Sequence, residues 1–214
     1  MKSTLINMVA VLFSITLIAS AGVGAVNMIT EAPIAAAKAA ATEAALGVVL
    51  PAFDQTEVAE QTIDEMPIKV YTATKEGQTV GYAVETMTKS GFNGVVKLMV
   101  GFAPTGEVLN VNVIQQSETP GLGTKMADEG NALISSIQNK NSWEVEFKVK
   151  KDGGELDALT AATISSRAYY EAVARAYEAY KVACGYQESA DSVSGATATA
   201  NNAGQQAQKG GQNE

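Results

Sequence analysis

The chain has 214 residues, no histidine, a single cysteine (Cys184) and a formal net charge of −8. Haem on histidine, iron–sulfur clusters, His/Cys zinc sites, and Ser-His-Asp or Cys-His catalysis are thereby excluded within the chain, and so is an internal disulfide. The acidic balance argues against a nucleic-acid surface, so any chemistry has to come from an organic cofactor or a partner.

Residues 5–29 carry no charge and are mostly apolar. About 20 such residues suffice to cross a hydrocarbon core, so residues 1–30 are expected to form a transmembrane anchor. Lys2 and the Ala19-Ser20-Ala21 site also fit a cleaved signal, but the apolar run continues past Ala21 to Ile29, which favours a retained helix. Lys2 precedes the span and Glu31 follows it, placing the rest of the chain on the extracytoplasmic side. The alanine-rich stretch from residue 31 to Pro51 reads as a helix, and residues 31–60 as a helical connector.

Strand signals follow. Residues 68–75 and 79–87 are rich in β-branched and aromatic positions and are joined by Glu76-Gly77. Residues 95–102 and 108–114 form a second pair around Pro104-Thr105-Gly106. In the last strand Val111 and Val113 alternate with Asn110 and Asn112, as on a half-buried strand. Residues 125–137 read as a helix with Met126, Leu133, Ile134 and Ile137 on one side. Residues 143–149 read as a strand, alternating Trp143, Val145, Phe147 and Val149 with charged residues.

Ser166 is expected to cap a long helix to Ala183 that buries Tyr170, Val173, Tyr177 and Tyr180 and stops at Gly185. Cys184, late in that helix, reads as a small buried residue. Residues 187–214 are rich in Ser, Ala, Gly, Gln and Asn and are expected to be disordered. The fold class is α+β: an antiparallel sheet with packed helices, over residues 61–186, on one N-terminal transmembrane helix.

Two stretches carry the chemistry. Ser117-Glu118-Thr119-Pro120-Gly121-Leu122-Gly123-Thr124-Lys125 joins a strand to a helix. It reads either as a tight turn capped by Thr124 or as a loop whose glycines bring backbone N–H groups to a flat ligand or phosphate. Asp157-Ala158-Leu159-Thr160-Ala161-Ala162-Thr163, followed by Ile164-Ser165-Ser166-Arg167, places a threonine among small residues just before a helix. This second stretch resembles the flavinylation motif of the FMN-binding domain family, in which the last threonine of Asp-x-x-Ser/Thr-Gly-Ala-Thr carries FMN through a phosphoester. It departs at one position, Ala161 standing where the family usually has glycine; the side chain stays small, and the change is expected to be tolerated.

The two stretches in this order, preceded by Gly91-Phe92-Asn93-Gly94, look like the G-subunit family of Rnf-type ion-translocating oxidoreductases, over roughly residues 65–183 plus the anchor. The C-subunit family of the sodium-pumping NADH–quinone oxidoreductases shares both motifs and is the alternative. The resemblance implies covalent FMN on Thr163, with Thr160, Ala161, Ala162, Ser165 and Ser166 around it. By the same analogy Glu118, Thr119, Gly121, Leu122, Gly123 and Lys125 line the flavin, and Asp157 is read by a separate flavin transferase. It implies an electron relay, with no catalytic residue and no metal of its own, among other membrane subunits of a complex between ferredoxin and NAD. Asp191-Ser192-Val193-Ser194-Gly195-Ala196-Thr197 also matches the motif, so Thr197 is an alternative attachment site, although no apolar helix follows it. A stand-alone extracytoplasmic flavin reductase and a non-redox periplasmic binding module are the competing functions.

Overall fold

The computed structural model describes residues 5–185. Helix α1, Leu5–Val49, runs for 45 residues with Pro33 inside it, so it spans about 68 Å at the usual 1.5 Å rise. Its first half exposes Leu5, Ile6, Phe13, Ile18 and Val23 and buries none of them, and the helix is long and apolar enough to cross a membrane. Only its far end is buried, at Ala45, Leu46 and Val49.

Five strands follow in sequence order as one antiparallel sheet: β1 Gln55–Ile63, β2 Met66–Lys75, β3 Gln78–Thr88, β4 Val96–Phe102 and β5 Val108–Gln115. The first two turns use paired left-handed residues, Asp64 (φ 50°) with Glu65 (φ 61°) and Glu76 (φ 52°) with Gly77 (φ 78°), which matches the twist of a two-residue hairpin. Strands β2 to β5 lie where the β-branched alternation placed them. Strand β1 was not anticipated: the helix ends at Val49, next to the expected stop at Pro51, but the remainder of the 31–60 connector holds Gln55–Ile63, a mostly exposed edge strand held through its pairing with β2.

Alternation gives the sheet two buried faces. On one, Val70, Val84, Leu98, Val100 and Phe102 meet Tyr170, Val173, Tyr177 and Tyr180 of helix α3, Thr163–Ala183. On the other, Tyr71, Ala73, Ala83 and Met99 meet the end of α1. In β5, Val111 and Val113 pack toward the α3 side, and the Asn110 amide donates to the Val48 carbonyl of α1 at 3.2 Å.

Three local expectations are corrected. Residues 125–137 are not one helix: a 3₁₀ turn spans Gly123–Ala127, Gly130 turns left-handed (φ 62°), and the short α2, Ala132–Ile137, starts afresh on Asn131. The Asn131 side-chain carbonyl accepts from the Leu133 and Ile134 N–H groups at 2.9 and 3.3 Å, satisfying donors that a helix start leaves free. Residues 143–149 are not a strand of the sheet. Their alternation comes from packing on α3, where Trp143 meets the Tyr177 ring edge-on at 5.3 Å and Phe147 approaches the same ring at 6.1 Å. Finally, α3 begins at Thr163, not after Ser166, whose hydroxyl accepts from Leu159 N–H and donates to the Ala162 carbonyl inside the first turn, both at 2.9 Å.

Candidate functional site

Each of the two chemistry-bearing stretches enters a helix or 3₁₀ turn, and a buried carboxylate ties them together. Glu118 follows β5 and is only 4% exposed. One of its oxygens accepts from the Asn93 N–H at 3.2 Å, the other from the Ser165 hydroxyl of α3, and its own N–H donates to the Gln116 side chain at 2.7 Å. A single side chain thus joins the β3–β4 loop, the Pro-Gly segment and the start of α3. The glycines around it leave no room for a methyl group: a Cβ on Gly91 would lie 2.8 Å from Glu118 Oε1, and one on Gly123 would lie 2.6 Å from Ser165 Oγ.

The Pro-Gly segment closes on itself. Gly121 is left-handed (φ 76°) and donates its N–H to Thr124 Oγ1 at 2.9 Å, and Leu122 N–H reaches the Thr119 carbonyl at 3.1 Å. Thr124 therefore fastens the turn and does not cap the 3₁₀ segment, whose cap position is Leu122. The other stretch also needs an unusual backbone. Ala161, the residue expected to be a harmless stand-in for glycine, has φ 60°. The left-handed conformation costs an alanine roughly 1–2 kcal/mol, so the departure is sterically felt even though the side chain is small.

A cleft of about 290 Å³ opens where these segments converge. Its walls are Phe92 from the β3–β4 loop, Thr119, Leu122 and Gly123 from the Pro-Gly segment, and residues 161–165. Of the residues singled out in the sequence, Thr119, Leu122, Gly123, Ala161, Ala162, Thr163 and Ser165 line it. Glu118 and Ser166 are buried and frame it without lining it, whereas Gly121, Lys125 and Thr160 lie outside it and are exposed. Phe92 and Ile164 were missed as lining residues; both are large apolar side chains left exposed, at 59% and 47%, and both sit inside quoted motifs. Two other concavities, about 260 Å³ over Glu85 and Lys97 and about 650 Å³ near residues 139–156, contain none of these motif residues.

Thr163 is the first residue of a 21-residue helix, and its Oγ1 accepts a hydrogen bond from Lys151 Nζ at 3.0 Å. A helix start offers backbone N–H donors and the positive end of the dipole, so this hydroxyl sits where a phosphate ester is best accommodated. Phe92, Leu122 and Ile164 give the cleft apolar surface suited to a flat ring. Asp157 lies apart, exposed, with its carboxyl held below the usual range first by the hydrogen bond from Lys150 and also by one from Ser136. Thr197 lies outside the described residues. Among the described residues no group of three His, Cys, Asp or Glu side chains is placed to hold a metal.

Residues 91–178, which include every wall of the cleft, match the FMN-binding domain family. The G subunit of the ion-translocating oxidoreductase complex of Shewanella piezotolerans is 40% identical over 114 residues, covering 50% of this chain and 52% of that protein. The G subunit of Vibrio cholerae is 40% identical over 119 residues (52% and 55%), and that of Haemophilus influenzae 44% over 103 residues (47% and 50%). The chain spans about half the length of the curated relatives it matches. The resemblance read from the two motifs is thus borne out: residues 91–178 match the FMN-binding domain family, and the chain is similar to the G subunits of ion-translocating oxidoreductase complexes.

Proposed function

We propose that this chain is a membrane-anchored flavoprotein subunit that carries FMN covalently on Thr163, through a phosphoester, and relays electrons within an ion-translocating ferredoxin–NAD oxidoreductase complex. The reading is carried by one observation: two motifs some 40 residues apart in sequence meet at a single cleft with the Thr163 hydroxyl on its wall. The name shared by the relatives supports the complex, and the apolar half of α1 supports the membrane. In this reading the domain faces the extracytoplasmic side, where a tethered cofactor is not lost by dissociation. The other membrane subunits are its redox partners, and a flavin transferase that reads Asp157 matures it.

FMN supplies one-electron and two-electron redox states when bound. The chain's part is to hold and orient it. The first turn of α3 presents N–H groups to the phosphate, and Thr163 fixes its position along the helix. Phe92, Leu122 and Ile164 shield a ring from water on the apolar side of the cleft. Glu118 and Ser165 tie the two lips of the cleft to each other, which would hold a bound ring in fixed surroundings.

Tryptic peptide mass spectrometry of the chain matured in its own host tests this. Residues 152–167 are expected to gain the mass of FMN less water, and the denatured band to fluoresce under ultraviolet light. Thr163→Ala is expected to lose both signals while keeping its fold. A gain confined to residues 182–209, which contain Thr197, or fluorescence retained in Thr163→Ala, would overturn the assignment.

A further inference from the structure

The hydroxyl of Thr163 has a cationic neighbour that lies in neither motif. Lys151 belongs to a 3₁₀ turn, Lys150–Asp152, and its ammonium donates to Thr163 Oγ1 across twelve residues of sequence. The turn is well held. Lys150 N–H donates to the Leu156 carbonyl at 2.9 Å, Leu156 N–H to the Lys148 carbonyl at 3.1 Å, and Gly154 N–H to the Val149 carbonyl at 3.2 Å. Gly153 takes the left-handed conformation that ends the turn (φ 87°), and a Cβ on Gly154 would lie 2.2 Å from the Lys148 carbonyl. Asp152 then clamps the turn onto α3, accepting from Arg167 Nε at 2.8 Å and from Arg167 Nη2 at 2.6 Å. Arg167 is one helical turn past Thr163, so the clamp sets where Lys151 stands.

Lysines on either side are engaged elsewhere: Lys150 pairs with Asp157 and Lys148 with Glu146. Arg167 is committed to Asp152. Of these four cations, Lys151 is the one aimed at the Thr163 oxygen.

We infer that Lys151 is the counter-ion of the phosphate at Thr163, drawing the anionic donor to the hydroxyl during attachment and pairing with the phosphodiester afterwards. This rests on the attachment proposed above. In that step the Thr163 oxygen bonds to the flavin-side phosphorus of a flavin dinucleotide. The pyrophosphate P–O bond breaks, the nucleoside monophosphate leaves with its electron pair, and the hydroxyl proton passes to the transferase or to solvent. Nothing is oxidised or reduced. The phosphodiester formed keeps one negative charge, which a lysine within hydrogen-bond reach neutralises. A positioned ammonium lowers the cost of bringing an anion to the hydroxyl, and salt screens that effect.

The test follows flavin incorporation into full-length wild type and variants in membranes containing the transferase, by in-gel fluorescence against time at two salt concentrations. Lys151→Gln is expected to label about five-fold more slowly at low salt, the size of a good exposed ion pair, with the gap narrowing at high salt. Lys151→Arg should restore the rate, and Lys148→Gln, close by in sequence but paired with Glu146, should match wild type. A ³¹P chemical shift of the labelled protein that differs between wild type and Lys151→Gln at low salt, the two converging at high salt, reports the pairing independently of rate. Wild-type labelling by Lys151→Gln with an unchanged ³¹P chemical shift overturns the inference and leaves Thr163 attachment standing. Equal slowing in Lys151→Gln and Lys151→Arg overturns the role of charge. Absence of label on wild-type Thr163 sinks the attachment reading and this inference together.

Discussion

Gly101 and Phe102 are consecutive on β4 and point to opposite faces of one sheet, and the two faces are built differently. On the α3 side bulk fills the space: Phe102 is fully buried and stacks on the Tyr180 ring at 4.9 Å, with Tyr177 beyond it. The α1 side also buries Tyr71 and Met99, but bulk is withheld where the helix end comes closest. Gly101, Ala83, Ala73 and Gly81 let the helix end approach until a Cβ on Gly101 would lie 2.0 Å from the Val49 carbonyl, and one on Gly81 would lie 2.9 Å from Leu50. One face therefore rests on a large aromatic cluster removed from water, whereas the other joins a smaller apolar cluster to a close approach of helix end and sheet.

The largest expected effect breaks the first face. Phe102→Ala should cost about 3–5 kcal/mol, read from the denaturant midpoint, because the ring's burial is lost and a cavity remains. A cost below about 1 kcal/mol would mean that the aromatic cluster is not the main core. Next, Gly101→Val should cost about 1–3 kcal/mol by overpacking, with a local signature. Amide exchange should quicken at residues 45–50, while Trp143 emission, reporting the α3 face, stays put. If both probes change together, the faces are not independent.

Smaller effects lie at the rim of the α3 face, where the cleft opens. Ser165→Ala removes the hydroxyl donor to the buried Glu118 carboxylate and should lower stability by about 1–2 kcal/mol, together with flavin fluorescence polarisation in labelled protein. Ala161→Gly should have the least effect and the opposite sign. Relief of the left-handed alanine is worth roughly 1–2 kcal/mol, and the freer unfolded chain of glycine takes back roughly 0.5–1 kcal/mol, for a net gain of about 0.5 kcal/mol in thermal unfolding.

The same contrast explains what the sequence disclosed. Four strands and the tyrosine face of α3 were legible because burial there writes a periodic apolar pattern. Strand β1 was not, since Gln55–Ile63 is mostly exposed and its identity comes from β2. Residues 125–137 carried helical spacing, yet Gly130 and Asn131 interrupt it, a stop and a start that the apolar residues outweighed in the reading. Residues 143–149 alternate because they lie on rings, not because they pair with a strand. Thr163, Thr119 and Gly123 were legible through motif likeness, whereas Phe92 and Lys151 emerge only when the chain is folded. The left-handed Ala161 could be suspected from the missing glycine but not measured.

The unbroken course of α1 has a mechanical corollary. A hydrocarbon layer about 30 Å thick takes up roughly 20 residues, and the rest of the helix, with Pro33 inside it, continues as helix to the sheet. Such a mast does not let its cargo swing down to the lipid, as a Gly/Ser-rich tether would. With residues 5–29 in the bilayer, as proposed above, residues 31–49 would carry the sheet about 30 Å above it at the usual 1.5 Å rise.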